Sequence, residues 1–344
     1  MNILIRIPNW LGDAVMATFA MEILYQSYPQ AHFYLVGSEV SCGLFSHYPN
    51  TTLLIDESKK KKFRIFHLYV LAKKIPSCDI AFTLQNNFLS ALFLFFNGAK
   101  QRIGYNKEMR SLLLTKAPKK QPNLHEVLHF SSLIKTLIPN THLSPKLYLR
   151  KPHLEISLPQ HWQNQKIAGI NAGAAFGSAK RWKEEYFAEI IAFLLDKNFK
   201  ILLFGVTSEN TINEKILSFL PPNPQDILNL SGQTTIQSLM AYIQRLHLFI
   251  TNDSGPMHIA AAFEIPTLAI FGPTNEEESG PFNAKNAHIL SLKTLNQTLS
   301  CQPCKKRVCP FPKDSKTFHA CMTDLKPPFI IQKIQSLISN VALK

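Results

Sequence analysis

Acidic side chains are scarce in this chain of 344 residues, which sets 23 Asp and Glu against 37 Lys and Arg and carries a formal net charge of +14. That balance favours a polyanionic partner or an anionic membrane surface. Long apolar runs are missing too. None reaches the ~18 uninterrupted residues of a spanning helix, so a transmembrane chain is not expected. The opening NILIRIPNW lacks the charged start, apolar middle and small-residue cleavage site of a signal peptide, which makes the cytoplasm the expected location. No helix-turn-helix, finger or RNP-like segment accompanies the basic charge, so nucleic acid is not an expected partner. The P-loop and the dinucleotide fingerprint are absent as well.

Cysteine is limited to six residues, which in a reducing cytoplasm do not imply disulfides. Cys42 and Cys78 are expected as small core residues. Cys301, Cys304, Cys309 and Cys321, with His319 between the last two, open on a C-x2-C pair that lets two thiolates reach one tetrahedral ion. The remaining spacing fits no familiar zinc pattern, and the expectation is no tightly held metal.

What is present is a rhythm. Apolar residues make up 46% of the chain, too many for disorder, and its length suits two domains. Short apolar runs at residues 2–8, 32–36, 53–55 and 80–84 alternate with helical spacing at 14–25, 66–75 and 88–96, which predicts a parallel doubly wound sheet. The apolar stretch 88–96 is read as a buried helix. Residues 139–159 carry several prolines and little periodicity, and the interdomain linker is placed there. The rhythm restarts with strands at 167–171, 200–204 and 226–230, helices at 183–195 and 236–245, and the stretch TNDSGPMHIAAAFEIPTLAIFG over 251–272. That stretch reads as strand end, polar loop, helix and strand. Polar loops at the carboxyl ends of parallel strands are where ligands bind, because helix amino termini offer free N–H groups there.

Candidate site residues follow from those loops. Asp253, Ser254 and His258, with Gly255, form a ligand-facing set, although Asp253 or Ser254 alone could be only an N-cap. In AGAAFGSAKRW, the small residues Ala174 and Ala175 let backbone N–H groups approach an oxyanion, and Lys180 adds a mobile positive charge. Glu209 is placed to hold a ribose diol or to serve a helix dipole. Gly12 and Asp13 close the first strand-to-helix loop, where Asp13 is a helix-dipole partner or a general base. The runs at Lys59, Lys60, Lys61 and Lys62 with Arg64, and at Lys116, Lys119 and Lys120, are the densest basic clusters. For a lone charge run, a solvated loop is the plainer reading of each.

Taken together, IRIPNWLGDAVM, NAGAAFGSAKRW, TNDSGPMHIAAA and IFGPT resemble the ADP-heptose:lipopolysaccharide heptosyltransferases of glycosyltransferase family 9, over nearly the whole chain. The resemblance implies an α/β GT-B fold, two Rossmann-like doubly wound domains facing across a cleft. The acceptor domain would span residues 1–155, the donor domain 156–325, and a helix within 326–344 would cross back to the first. It further implies Asp13 as general base, Lys180 at the donor diphosphate, Glu209 near the adenosine, and Asp253, Ser254, Gly255 and His258 at the donor sugar. ADP-heptose and a Kdo-bearing lipid A core at the inner membrane surface are the implied partners, with peripheral association at that surface and no cofactor or metal. Ala174, Ala175 and Phe176 depart from the hydroxyl residues expected of the enzyme that adds the first heptose, and favour the one that adds the second. Another sugar-nucleotide transferase of this fold, or a nucleotide-binding protein without turnover, is the alternative.

Overall fold

In the computed structural model, which describes residues 1–222 and 225–341, the chain divides into two units, Met1–Arg150 and Lys151–Lys344. Each is a parallel sheet covered by helices, which is why the strands read as near-continuous apolar runs. In the first unit, β1 (Asn2–Arg6), β2 (His32–Gly37), β3 (Thr51–Ile55), β4 (Ile80–Thr83) and β5 (Gln101–Ile103) lie in the order β3-β2-β1-β4-β5. Ile3 pairs with Phe33 on one side and Ile80 on the other, and Ile5 with Leu35 and Phe82. All six side chains are buried.

The second unit holds β6 (Lys166–Asn171), β7 (Phe199–Leu203), β8 (Ile227–Asn229), β9 (Leu248–Asn252), β10 (Thr267–Ile270) and β11 (Ala287–Leu290), in the order β11-β10-β9-β6-β7-β8. Its core gathers Ile170, Ile201, Ile250 and Leu268 from the strands with Trp182, Phe187 and Ile191 from the chain that follows β6. Both sheets therefore reverse direction once, between β1 and β4 and between β6 and β9. At such a reversal the loops part and leave a crevice beyond the strand ends.

Three departures from the sequence reading stand out. The helix expected over 14–25 is two helices, Leu11–Met16 and Thr18–Ser27. The Thr18 hydroxyl donates back to the Val15 carbonyl at 2.7 Å and accepts the Tyr148 N–H at 3.0 Å, a tertiary contact at the break. β11 has no counterpart in the reading, which ended the second unit's strands at IFGPT, because four residues in a polar stretch carry no clear period. The 88–96 helix, observed as Phe88–Asn97, is buried on one face only, with Phe88 and Phe95 exposed. The final helix, Pro327–Val341, buries Ile330 and Ile334 in the second unit's core, and it packs on the helix Glu184–Asp196. Residues 342–344, the end of the span 326–344 in which that helix is expected, lie outside the described residues. No regular helix or strand occupies residues 139–159, and the division at Arg150 falls inside that stretch.

Candidate active site

Asn171 and Asn252 end β6 and β9, the two strands that flank the reversal in the second unit, and both side chains are buried. The Asn252 amide donates to the Ala172 carbonyl at 2.7 Å, and its oxygen accepts the Trp182 N–H at 3.2 Å, so one side chain pins both ends of the loop 172–182. Asn171 donates to the Gly173 carbonyl at 3.3 Å and to Ser254 Oγ at 3.2 Å, tying the same loop to the next. The Trp182 ring N–H donates to the Leu325 carbonyl at 2.8 Å, anchoring the loop's far end in the core.

Held this way, Lys180 Nζ lies 2.5 Å from Asp253 Oδ2, with the two side chains 12% and 6% exposed. Thr274, from the loop after β10, donates its hydroxyl to the same carboxylate oxygen at 2.5 Å. Three βα loops thus meet at one carboxylate. An ammonium carries three donors and a fixed charge, so Lys180 can hold Asp253 and still offer hydrogen bonds to an anion. The Phe176 ring centroid lies 4.8 Å from Lys180 Nζ and 5.3 Å from the Arg307 guanidinium carbon. Ala174 is buried and Ala175 exposed on this loop.

Ser254 occupies the N-cap position of the helix Gly255–Ala262 without a side-chain cap bond. Its hydroxyl instead joins Asn171 and, at 2.9 Å, Thr251. Gly255 opens the helix, and His258, read as ligand-facing, is buried at 3% exposure. Glu209 is buried as well. Its Oε2 accepts the Val206 N–H at 3.0 Å, and a Cβ on Gly173 would stand 2.2 Å from its carboxyl carbon. Glu209 therefore packs directly against the backbone of the loop 172–182, at a position where a side chain on 173 would collide with its carboxyl group.

The cysteine-bearing segment docks on the same loops. Gln302 donates to the Gly272 carbonyl at 2.7 Å, the Lys305 N–H to Pro273 at 2.8 Å, and the Ala179 N–H to the Arg307 carbonyl at 3.0 Å. A Cβ at Gly177 would meet that Arg307 oxygen at 2.2 Å. Cys309 Sγ accepts the His319 N–H at 3.3 Å, and burial lowers the His319 imidazole. Burial first, then Cys304, Cys301 and Cys309, push the Cys321 thiol up to about 12. Among the described residues no three His, Cys, Asp or Glu side chains stand in an arrangement that could hold a metal ion. Arg307 was missed in the sequence because the segment was read for its thiols, and Thr274 because the IFGPT run looked only like a strand end.

In the first unit, Gly12 and Asp13 lie in the first turn of the helix Leu11–Met16, beyond β1 at its reversal. Trp10 at the N-cap position supplies no cap bond. Gln85, from the loop after β4, donates to the Ile7 carbonyl at 2.7 Å and to Asn9 Oδ1 at 3.3 Å. Buried Arg110 donates to the Gln85 carbonyl at 2.5 Å and to Asn86 Oδ1 at 2.9 Å, fixing that loop. Nothing local marks Arg110 among so many basic residues. Arg6, the last residue of β1, pairs with Asp56 at 2.7 Å and lies 4.6 Å from the Phe93 ring centroid.

The family model described as Glycosyltransferase family 9 (heptosyltransferase) matches residues 68–314. The chain is 34% identical over 346 residues to lipooligosaccharide heptosyltransferase 2 of Campylobacter jejuni, covering 99% of both chains. The chain belongs to glycosyltransferase family 9. Lipopolysaccharide heptosyltransferase 2 of Escherichia coli is 26% identical over 362 residues, with 98% of this chain and 99% of that one covered. The solved structure of E. coli ADP-heptose LPS heptosyltransferase II superposes with a TM-score of 0.76 at 24% identity, covering 99% of this chain and 100% of that one. The two doubly wound units are accordingly those of a GT-B glycosyltransferase, and the protein is an enzyme that transfers heptose. Within the family match lie Lys180, Glu209, Asp253, Thr274 and Arg307; Asp13 lies outside it but inside the full-length similarity.

Proposed function

We propose that this family 9 enzyme moves heptose from ADP-heptose to the first heptose of the lipopolysaccharide inner core, in one inverting displacement. The observation that carries the reading is the Lys180, Asp253 and Thr274 cluster at the reversal of the second sheet, where a diphosphate would meet a fixed cation. Asp13 accepts the proton of the acceptor hydroxyl as its oxygen bonds to the anomeric carbon and the sugar-phosphate bond breaks. The electron pair of that bond leaves with ADP. Lys180 and nearby helix amino termini offset the charge that develops on the departing phosphate. Asp253, Ser254 and Gly255 border the donor sugar, and Glu209 lies toward the nucleoside. The chain contains no Asp-x-Asp, the usual means of holding a metal-bridged diphosphate, and we assign the diphosphate to Lys180 and backbone N–H groups instead. The acceptor, phosphorylated and lipid-embedded, matches the net charge of +14 and implies peripheral association with the membrane surface.

Turnover with ADP-heptose and a monoheptosylated core tests the assignment. Asp13→Asn keeps the shape of the side chain but cannot accept a proton at neutral pH. This variant is expected to fold, to bind ADP-heptose, and to lose at least about a hundredfold in turnover. Near-normal turnover would remove Asp13 as the base. Turnover with other sugar nucleotides in preference to ADP-heptose would overturn the donor assignment, and nucleotide binding without turnover would make the chain a binding protein.

A further inference from the structure

Residues 59–74, KKKKFRIFHLYVLAKK, hold seven basic side chains and no acidic one. The helix Arg64–Lys73 buries Leu68 and Ala72 against the first sheet, and Ile75 follows them inward. Its other face should then be polar, as on any helix that covers a core with one stripe. Instead Phe63, Ile65, Phe66, Tyr69 and Val70 are all exposed, Phe63 by 67% and Phe66 by 62%. The charge sits at the two ends of this face. Lys62 Nζ lies 5.9 Å from the centroid of the Phe63 ring, and Lys73 Nζ 5.6 Å from that of Tyr69. Glu57 meets Lys60 at 3.1 Å, just outside the run.

An apolar face of large side chains bordered by lysines is costly in water and suited to an interface. Aromatic and branched side chains would enter the boundary between headgroups and acyl chains, while the lysines reach lipid phosphates. A polar protein partner would satisfy the lysines but leave the aromatic rings unmatched. A nucleic acid would meet the charge and stack on the aromatic rings, but it would leave the exposed aliphatic Ile65 and Val70 without an apolar partner. No helix among the described residues is long and apolar enough to cross a membrane. We infer that the helix Arg64–Lys73, with Phe63 and the preceding lysines, is the element by which this protein docks on an anionic lipid bilayer. This rests on the lipid-embedded acceptor proposed above, although docking itself needs no turnover.

The test is sedimentation of the full chain with vesicles of phosphatidylethanolamine and phosphatidylglycerol, against vesicles of phosphatidylcholine alone. The wild type is expected on the anionic vesicles, less so as salt rises. Phe63→Ser with Phe66→Ser should require at least about tenfold more lipid for half-binding at every salt concentration. Replacement of Lys59, Lys60, Lys61 and Lys62 by Gln should remove mainly the salt-dependent part. Because these side chains are exposed, melting temperatures should stay unchanged. Turnover on a de-acylated, water-soluble acceptor should also be unchanged, while turnover on vesicle-embedded acceptor falls. Wild-type indifference to anionic vesicles, or equal binding by the phenylalanine variant, overturns the inference. So does a wild-type dimer that the same variant converts to monomer, since the face would then be a protein interface. Vesicle binding without heptose transfer would count against the transferase assignment alone, and transfer without vesicle binding against this inference alone.

Discussion

Two of the close ion pairs, Arg6–Asp56 and Lys180–Asp253, lie at or beyond the carboxyl ends of strands, and they differ in access. Arg6–Asp56, at the end of β1, is sealed, with both side chains 2% exposed. Lys180–Asp253, at the tips of loops after β6 and β9, keeps more contact with solvent, and a third loop donates a hydroxyl to it. The sealed pair is shut off from solvent, with Arg6 Nη2 on Asp56 while Arg6 Nε and Nη1 are buried without a hydrogen-bond partner. A pair at loop tips can share its cation with an incoming anion. Position along the strand, more than the chemistry of the pair, separates a structural cation from a candidate ligand group.

Removing one partner from the sealed pair should have the largest effect. Asp56→Ala leaves a buried guanidinium uncompensated and is expected to cost about 3–5 kcal/mol of stability, read by denaturant unfolding, with ADP affinity unchanged in the folded fraction. The pH dependence carries the same information. Burial alone would raise the Asp56 carboxyl, but Arg6 and the hydrogen bonds from Ser58 outweigh it and hold the group below the usual carboxylate range. A depressed folded value means that the stabilisation is complete above the unfolded pKa of about 3.9 and disappears as pH falls through the folded value. Acid unfolding scans should therefore flatten below about pH 4 in the Asp56→Ala variant. An unchanged acid limb would mean that another carboxylate controls it.

The open pair should behave in the opposite way. Lys180→Ala is expected to weaken ADP by roughly ten- to a hundredfold, about 1.5–3 kcal/mol, with a smaller change in stability. Calorimetry on Lys180→Ala, Asp253→Ala and the double variant should give non-additive losses, coupled by about 0.5–3 kcal/mol, because Asp253 positions the lysine. Additive losses would show that the two residues meet the ligand independently.

The smallest expected effect concerns the thiols. Cys42, Cys78 and Cys321 are buried, and burial pushes them up to about 11, 12 and 12 respectively. Mild alkylation near neutral pH should mark the half-exposed Cys301, Cys304 and Cys309 first, read by mass spectrometry. Early labelling of Cys321 would show that the docked segment opens in solution.

Much of this was legible in the sequence because the relevant signals are local. Alternating apolar runs and helical spacing marked most strands of both sheets to within a few residues, β11 excepted, and turn residues marked the loops that carry Lys180, Glu209 and Asp253. Asn252 looked like turn chemistry but is the last residue of β9, where a buried amide ties two loops. What escaped depends on partners far along the chain. Asp56 is fifty residues from Arg6, Arg110 twenty-five from Gln85, and Tyr148 one hundred and thirty from Thr18. No window of sequence contains both halves of such a contact. The final helix meets the same limit. Its apolar stripe is plain, but the stripe alone does not name the core that receives it.

The packing of Glu209 against Gly173 constrains how this enzyme can change over generations. The space that a side chain at 173 would fill is the space the carboxyl occupies. A lineage that gained a side chain at 173 would first have to lose or shift Glu209, and one that lost Glu209 would free 173 to vary. The two positions lie on loops after different strands, β6 and β7, yet they can drift only together. Selection for a new nucleotide base or sugar would therefore act on both loops at once.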